Sequence, residues 1–518
     1  MGLKWSALAV VVAVLAAACT SGSAPETEAD ITASTIPRTG TPPAETTAPI
    51  QPGTAPVSTS TTQPPTRPTG EWPTLRLEDC PEDECARPWE GAWAADRSAA
   101  VQRIAQAGWG VDDDGVLRGP GGLELDLAQC PQSWDKKGGA TEGEVALVAT
   151  GPFEMFGDRE PGNLVDGFTA AIDEANRGGG VDGRMVRLIV QDQGYLVGSR
   201  LIPLEDEVLA DDPFAVIPYG IGRIRETLDF LPRRCVPLSM PFAGDAHSST
   251  TPWHIPGGRG YAVEARLLVE YAEQLIQDGE LTVGVLLMDN DFGESFVPGL
   301  EAALAGIAHR QPSLQLVRHD PAAPFSLEPE VRELLLAEPD LLLVLTAANP
   351  CNLAVRAVQS LVEQGLQRPP ALALSSPCRD VVESDHTIDG WLTVAPLVEP
   401  DAVGGDGPFA HHLRSMLEGA HLDATAELNL EGYLRGWLHI ELLRIAAELP
   451  GGLSRPNYLL AAWSADLRPP LVPPGASFTL GGPADLDPYN GAVLQRFDSV
   501  KGGWVDITFL SAGKTNAE

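Results

Sequence analysis

The chain has 518 residues, 43% of them apolar and 20% charged, so it is long enough to bury more than one hydrophobic core. Acidic residues outnumber basic ones 71 to 35, which gives a formal net charge of −36. A surface of this sign repels phosphate groups. The composition therefore argues against nucleic-acid binding and against electrostatic docking on anionic membranes.

The first nineteen residues are typical of an export signal. Lys4 precedes an apolar run of Ala, Val and Leu over residues 7–18, which is short for a membrane-spanning helix and suits the core of a signal peptide. The run ends in Leu-Ala-Ala-Ala-Cys, which resembles a bacterial lipobox. We therefore predict a signal peptide over 1–18 and a lipid anchor at Cys19, on the extracytoplasmic face of the cell membrane. Plain secretion with cleavage nearby is the alternative.

The next two segments differ sharply in composition. After Cys19, residues 20–70 contain 14 Thr, 10 Pro and 5 Ser but no aromatic residue. Such a segment cannot bury enough apolar surface to offset the entropy of ordering, so we predict a disordered linker over 19–70. Residues 71–142 contain five tryptophans and three cysteines. We expect a small disulfide-rich N-terminal appendage there, with a helix over 96–107 and a tight turn at 112–115.

Six cysteines follow Cys19, and an even number in an exported chain permits three disulfides. Cys351 and Cys378 each come shortly after an apolar run of strand length. If those strands are parallel neighbours, both cysteines lie past the same sheet edge and are able to pair. Cys80 and Cys85 pair either with each other or with Cys130. Cys235 is either a disulfide partner or a buried free thiol.

From residue 144 onward, apolar runs of strand length alternate with helical segments. This alternation predicts parallel sheets covered by helices on both faces. The pattern restarts near residue 253, so two α/β units in tandem place a cleft between them at the carboxyl ends of the strands. The predicted strands begin near Val145, Met185, Ala215, Val236, Leu281 and Leu314, followed by the apolar runs at 341–345 and 371–374.

Four motifs in order resemble the solute-binding proteins of branched-chain amino acid ABC transporters. The first is Gly-Pro after the first strand, with Phe156-Gly157 behind it. AIDEANRGGGVDGR and VRLIVQDQ complete this first motif. The others are VGVLLMDNDFGESF, then AEPDLLLVLTAANPCNLAVRAVQSLVEQGL, then the C-terminal GGPADLDPYNGAVLQRFDSVKGGWVDI. The resemblance covers about residues 143–510. It implies the type I periplasmic-binding fold, an α/β architecture of two doubly wound parallel-sheet lobes joined by three crossovers.

The resemblance also implies how the chain divides between the lobes. Lobe one is expected at 143–255 plus 396–475, and lobe two at 256–395 plus 476–510, with a tail over 511–518. A helix through Leu428 and Ile445 is expected to pack back onto lobe one.

In this family the ligand lies between the lobes, held by loops at the strand ends. Carried over by position, the candidate ligand-binding residues are Phe156, Tyr219, Gly220, Ile221, Gly222, Phe242, Ala243, Gly244 and Asp245 in lobe one, with Asp291, Phe292, Ala348, Asn349 and Ser376 in lobe two. The hydroxyl side chains that amino acid binders present in these loops are missing here, as is an aromatic residue near Ala348. The resemblance therefore specifies the fold more closely than the ligand.

Several of these candidates have two interpretations. Gly220 and Gly222 either offer backbone N–H groups to an anion at a helix start or only form a turn. Asp245 either holds a cationic group or is an exposed loop residue. The rings of Phe242 and Phe292 either stack on a ligand or pack beneath their own loops.

The sequence predicts a binding protein rather than an enzyme. It contains no Gly-x-Ser-x-Gly elbow, no Walker loop and no recognised zinc-ligand spacing, so no catalytic residue, metal or cofactor is assigned. We expect a lipid-anchored solute-binding protein that closes on an amino acid or related polar solute and delivers it to ABC permease subunits. The alternative is a ligand sensor or cell-envelope interaction protein with the same fold and no transport role.

Overall fold

The computed structural model describes eleven stretches of the chain, all within one compact unit that runs from Pro65 to Glu518. The stretches are 87–153, 162–192, 203–244, 251–276, 279–321, 325–382, 388–395, 408–424, 426–472, 477–489 and 491–511. The predicted signal peptide, Cys19, the linker, Cys80 and Cys85 lie outside these residues. Among the described residues, no helix combines the length and the apolar character needed to cross a membrane.

The N-terminal segment packs against the rest of the protein instead of forming a core of its own. It consists of α1 (Arg87–Ala107) and a three-stranded antiparallel sheet, β1 (Gly110–Val111), β2 (Val116–Arg118) and β3 (Glu124–Asp126). The ring of Trp93 lies 5.0 Å from that of Trp437, and its indole N–H donates to the carbonyl of Arg468 at 3.0 Å. Two other buried residues of α1, Ala100 and Ile104, belong to the same apolar cluster as the first large sheet.

The first large sheet has five parallel strands in the order β5-β4-β6-β7-β8. Neighbouring parallel strands require a crossover connection, and helices provide it from β4 to β7. In chain order the elements are β4 (Glu144–Gly151), α2 (Gly162–Arg177), β5 (Met185–Asp192), α3 (Leu204–Leu209), β6 (Ala215–Pro218), α4 (Ile221–Leu228), α5 (Leu231–Arg234), β7 (Leu238–Ser239) and β8 (His254–Ile255).

The second large sheet has seven strands in the order β10-β9-β11-β12-β13-β16-β17. The first five strands are parallel, and β16 and β17 add antiparallel at one edge. Its elements are α6 (Tyr261–Leu275), β9 (Thr282–Met288), α7 (Asp291–Glu294), α8 (Val297–Gly306), β10 (Ser313–His319), α9 (Glu328–Leu336), β11 (Leu341–Leu345), α10 (Asn349–Glu363), β12 (Ala371–Leu374), α11 (Arg379–Val382), β13 (Leu392–Ala395), β16 (Gly491–Asp498) and β17 (Gly503–Ser511).

Between β13 and β16 the chain returns to the first sheet. The returning elements are α12 (Pro408–Gly419), α13 (Glu427–Glu448), α14 (Arg455–Trp463), β14 (Asp466–Leu467) and β15 (Phe478–Thr479). We call α1 to β8 with α12 to β15 the first lobe, and α6 to β13 with β16 and β17 the second lobe. The chain therefore passes between the lobes three times. Phe478 and Tyr489 belong to the first lobe's core cluster, and Gly491 begins β16 of the second lobe.

Helix α13 packs very closely on α2, and glycines permit the approach. A Cβ atom at Gly432 would lie 2.1 Å from the carbonyl oxygen of Leu164, and one at Gly167 would lie 2.0 Å from that of Asn429. Real Cβ contacts are never that short, so both positions depend on the missing side chain. The helix predicted to pack back onto the first lobe is thus held there by backbone contact.

Two disulfides are present among the described residues. Cys351 pairs with Cys378, as predicted from their positions after β11 and β12, which are parallel neighbours. Cys130 pairs with Cys235 across 105 residues. The alternative in which Cys130 pairs with Cys80 or Cys85 is therefore wrong, and Cys235 is not a free thiol. Nothing in the sequence indicates that residues 127–134 pack beside α5, which places the two cysteines together.

Candidate functional site

Strand ends of the first lobe form one wall of the candidate site. The ring of Phe153, just after β4, stacks on that of Tyr219, just after β6, at 5.7 Å. Tyr219 forms an isolated parallel bridge with Phe242, and its backbone N–H donates to the carbonyl of Thr150 at 2.9 Å. These contacts bring three neighbouring strand ends of the first sheet to a common edge.

Strand ends of the second lobe form the opposite wall. Asn290 caps α7 by accepting hydrogen bonds from the N–H groups of Phe292 and Gly293, both at 3.1 Å. Ala348 caps α10 with φ +58° and ψ −146°, a backbone conformation that strongly favours glycine. Ala348 and Asn349 are both exposed. Strain of this kind occurs most often at functional sites, which agrees with the position of Ala348 at a strand end.

Two ion pairs connect the lobes. The Arg225 side chain on α4 pairs with Asp291 on α7, and both side chains are about half exposed. Arg379 on α11 pairs with Glu427 at the start of α13 at 2.6 Å, and here the Arg379 side chain is only 5% exposed. Through these pairs of side chains, elements of the two lobes are in contact.

A buried acid lies at the start of α6, directly after the first crossing. Glu264 is 3% exposed and accepts hydrogen bonds from the backbone N–H and the hydroxyl of Ser376, both at 2.7 Å. Burial raises the pKa of the Glu264 carboxyl to about 7, although the Ser376 hydrogen bonds and the charge of Arg259 oppose the shift. Ser376 is thus engaged within its own lobe by an acidic residue that sequence reasoning missed.

Sequence reasoning also missed three polar residues at the crossings. Arg259 lies in the first crossing, Arg435 lies on α13 beside that crossing, and Tyr489 precedes the third. All three are buried. Two signals were available in the sequence: Arg259 stands in a Gly-Gly-Arg-Gly run where the α/β pattern restarts, and Arg435 interrupts the apolar run Tyr-Leu-Arg-Gly-Trp-Leu over residues 433–438.

The three predicted glycines lie at strand ends, in a turn, at a helix start and in a loop. Gly220 has φ +84°, and its N–H donates to the carbonyl of Phe242 at 3.3 Å, so it forms a turn before α4. Gly222 and the buried Ile221 lie in the first turn of α4, with Gly222 exposed. The carbonyl of Gly244 accepts from the N–H of Tyr261 at 2.8 Å, which fixes the loop against the first crossing.

The remaining predicted side chains include two phenylalanines, which pack against other aromatic rings. Phe242 is 3% exposed and contacts Phe168 edge-to-face in the core, with half-buried Ala243 beside it. Phe292 contacts Tyr261 at 4.8 Å between ring centroids, so it packs near its own helix. Phe242 is thus part of the core, and Phe292 is half-buried. Phe156 and Asp245 lie outside the described residues.

Comparison with known proteins agrees with this architecture. A family model described as periplasmic binding protein matches residues 147–384. The sequence has no significant match among curated proteins.

Solved structures with the same fold include three substrate-binding or transporter proteins. A fatty acid ABC transporter substrate-binding protein from Thermomonospora curvata is 17% identical, with a TM-score of 0.59 over 78% of this chain and 96% of its own. A branched-chain amino acid ABC transporter protein from Thermus thermophilus with bound valine is 14% identical, with a TM-score of 0.57 over 70% and 95%. A solute-binding protein from Rhodopseudomonas palustris BisB5, in complex with 3,4-dihydroxy benzoic acid, is 14% identical, with a TM-score of 0.56 over 72% and 98%.

At these identities the solved structures establish the fold, and the family match covers the region of the first three sequence motifs. With its two sheets, its three crossings and a match to the periplasmic binding protein model over residues 147–384, the chain has the type I periplasmic-binding fold.

Proposed function

We propose that this protein is an extracytoplasmic solute-binding lipoprotein of an ABC importer. The observation that carries the proposal is the pair of parallel sheets whose carboxyl edges face each other, joined by three crossings. Ligands of open α/β sheets bind at the carboxyl ends of the strands. A solute between the two edges therefore contacts both lobes at once.

The chemistry of the solute is proposed from the relatives. Three proteins with this fold are associated with valine, 3,4-dihydroxy benzoic acid and a fatty acid. All three compounds are carboxylic acids, although their remaining parts differ. We propose a small amino-acid-like solute that carries a carboxylate.

Binding would proceed by hinge closure. A ligand shifts a two-state equilibrium only through its different affinity for the two states. The Arg225–Asp291 pair joins exposed side chains, and such pairs contribute only ~0–1 kcal/mol. The solute would add its own contacts with both lobes to this exposed pair and to the buried Arg379–Glu427 pair.

The test is ligand-dependent thermal unfolding of the full-length protein purified in detergent. The panel contains amino acids, aliphatic and aromatic carboxylic acids, short peptides, sugars and polyamines. A bound ligand at ~100 times its dissociation constant adds about 2.7 kcal/mol to the free energy of unfolding, which gives a clear rise in the melting temperature. We expect such a rise with at least one carboxylic acid, together with a smaller radius of gyration in X-ray scattering.

Other outcomes would change the proposal. Stabilisation only by a sugar or a polyamine would keep the binding role and discard the amino-acid-like solute. A folded protein that no compound stabilises would contradict the transport role. The protein would then fit better as a ligand sensor or a cell-envelope interaction protein.

The lipid anchor is tested separately. Cys19→Ala should move the protein from the membrane fraction to the soluble fraction and abolish incorporation of labelled fatty acid. Continued membrane association of this variant would contradict lipidation at Cys19.

A further inference from the structure

Two buried arginines at the crossings have hydrogen-bond donors that nothing in the described part of the chain accepts. Arg259 is 7% exposed, and its Nη2 donates to the carbonyl of Gly491 while Nε and Nη1 have no partner among the described residues. Arg435 is 3% exposed, and its Nη2 donates to Glu431 at 3.0 Å while Nε and Nη1 likewise have none there. Four N–H-bearing atoms on two cationic groups are therefore buried without an acceptor in this part of the protein.

The two side chains lie at the same place in the fold. A Cβ atom at Gly258, the neighbour of Arg259, would lie 2.8 Å from Nη2 of Arg435, and one at Gly257 would lie 2.2 Å from its Nη1. The Arg435 guanidinium group is therefore in direct contact with the backbone of the first crossing. The Arg259 bond to Gly491 joins the first crossing to the third, so both guanidinium groups lie at the junction of the lobes.

A third donor lies beside them. The Tyr489 hydroxyl is buried without a partner among the described residues, and its phenol is within electrostatic range of both guanidinium groups. The three groups come from different elements: the first crossing, α13 and the segment before β16. No single helix or turn places them together, so the cluster is a product of the tertiary fold.

Leaving these groups unpaired is unfavourable. An unsatisfied buried donor costs about 1–3 kcal/mol, and more when the group is charged. A guanidinium group stays protonated in proteins, so it cannot escape the cost by losing a proton. An anionic acceptor would satisfy the donors, and the planar fork of an arginine matches a carboxylate with two parallel hydrogen bonds.

The surrounding charge argues against a dianion. Glu431 pairs with Arg435, while Asp487 and Glu264 act electrostatically on Arg259. Two of these three acids already offset the two guanidinium charges, so a phosphate dianion would add two further negative charges in a buried place. A carboxylate adds one charge only, and the N–H groups left unpaired by the described residues, rather than the net charge, would hold it.

We propose that Arg259, Arg435 and the Tyr489 hydroxyl form an anion subsite at the junction of the lobes, which takes the carboxylate of the transported solute. This inference rests on the proposed solute-binding function. It assigns recognition of the solute's negative charge to residues outside the strand-end loops. The arginines would then replace the hydroxyl side chains missing from Gly220, Gly222 and Ala243. The solute would also connect the first and third crossings, which links its binding to closure.

The test compares each carboxylate with an uncharged amide of nearly equal size, using the full-length protein. The pairs are L-valine with L-valinamide, benzoate with benzamide, and hexanoate with hexanamide, each measured by calorimetry. For the pair that binds, we expect the amide to bind about 10- to 100-fold more weakly, because it loses charge-assisted hydrogen bonds. This comparison requires no substitution and therefore no assumption about folding of a variant.

The variant Arg435→Met supplies the second measurement. It should lower carboxylate affinity about 10- to 100-fold while changing amide affinity less than about 3-fold. Arg435→Lys, which keeps the charge without the fork, should recover part of the loss. Arg468→Met is the matched control, because Arg468 bonds Asp96 on α1 instead of lying at the crossings. It should leave the ratio of the two affinities unchanged.

The outcomes separate this inference from the proposed function. If the wild-type protein binds an amide as tightly as its carboxylate, the anion subsite is wrong and the solute-binding function stands. An equal loss of both affinities in Arg435→Met would likewise show that the arginine only holds the crossing in place. If no member of any pair binds and the wider panel also fails, the proposed function falls together with the subsite.

Discussion

Replacing Cys130 and Cys235 together by alanine should lower the free energy of unfolding more than any other removal of a covalent link among the described residues. The disulfide closes a loop with a sequence separation of 105 residues. In the chain-entropy account, a disulfide that closes a loop of that length raises the free energy of unfolding by roughly 5 kcal/mol, because the cross-link restricts the unfolded chain. The bond also ties the end of the N-terminal segment to the first lobe. We expect its loss to appear in chemical denaturation and in faster hydrogen exchange of β6 and β7.

The second disulfide provides a matched comparison. Cys351 and Cys378 are separated by 27 residues, for which the same account gives roughly 3.5 kcal/mol. The Cys351→Ala, Cys378→Ala double variant should therefore lose about 1 kcal/mol less stability, and its faster exchange should be confined to the second lobe. A larger loss from the shorter loop would contradict the entropic explanation and indicate that local packing dominates.

Gly432→Ala should destabilise the protein by about 3 kcal/mol, although alanine is the better helix former by ~1 kcal/mol. The added Cβ would lie 2.1 Å from the carbonyl oxygen of Leu164 and 2.9 Å from the backbone nitrogen of Phe168. These are backbone atoms of α2, so no side chain is able to rotate away. The two helices must separate, which opens the core of the first lobe. Thermal and urea unfolding of the variant would measure the loss.

Gly306→Ala is the control for this substitution. Gly306 ends α8, and nothing lies within 4 Å of a Cβ atom built there. The same chemical change should therefore be neutral or stabilise by up to ~1 kcal/mol. Gly167→Ala, on the α2 side of the contact, should behave like Gly432→Ala. A neutral Gly432→Ala would mean that the helices are less closely packed than described.

The candidate site shows where prediction from the sequence ends. Strand ends were predictable because buried parallel strands are continuous apolar runs, and Tyr219, Phe292 and Ala348 lie at such ends. Whether a ring faces the core or the cleft depends on neighbours distant in sequence, as Phe242 shows by packing on Phe168. Arg259 and Arg435 are 176 positions apart, and nothing local to either indicates that they share one junction.

The sequence by itself determined the alternation of strands and helices, the order of the family motifs and the pairing of Cys351 with Cys378. These follow from local periodicity and from the geometry of neighbouring parallel strands. Only the tertiary structure decided the Cys130–Cys235 pairing, the close packing of α2 on α13 and the cluster of buried donors at the crossings. Each of these joins segments far apart in the chain, and such contacts are set by how whole elements pack rather than by the residues beside them.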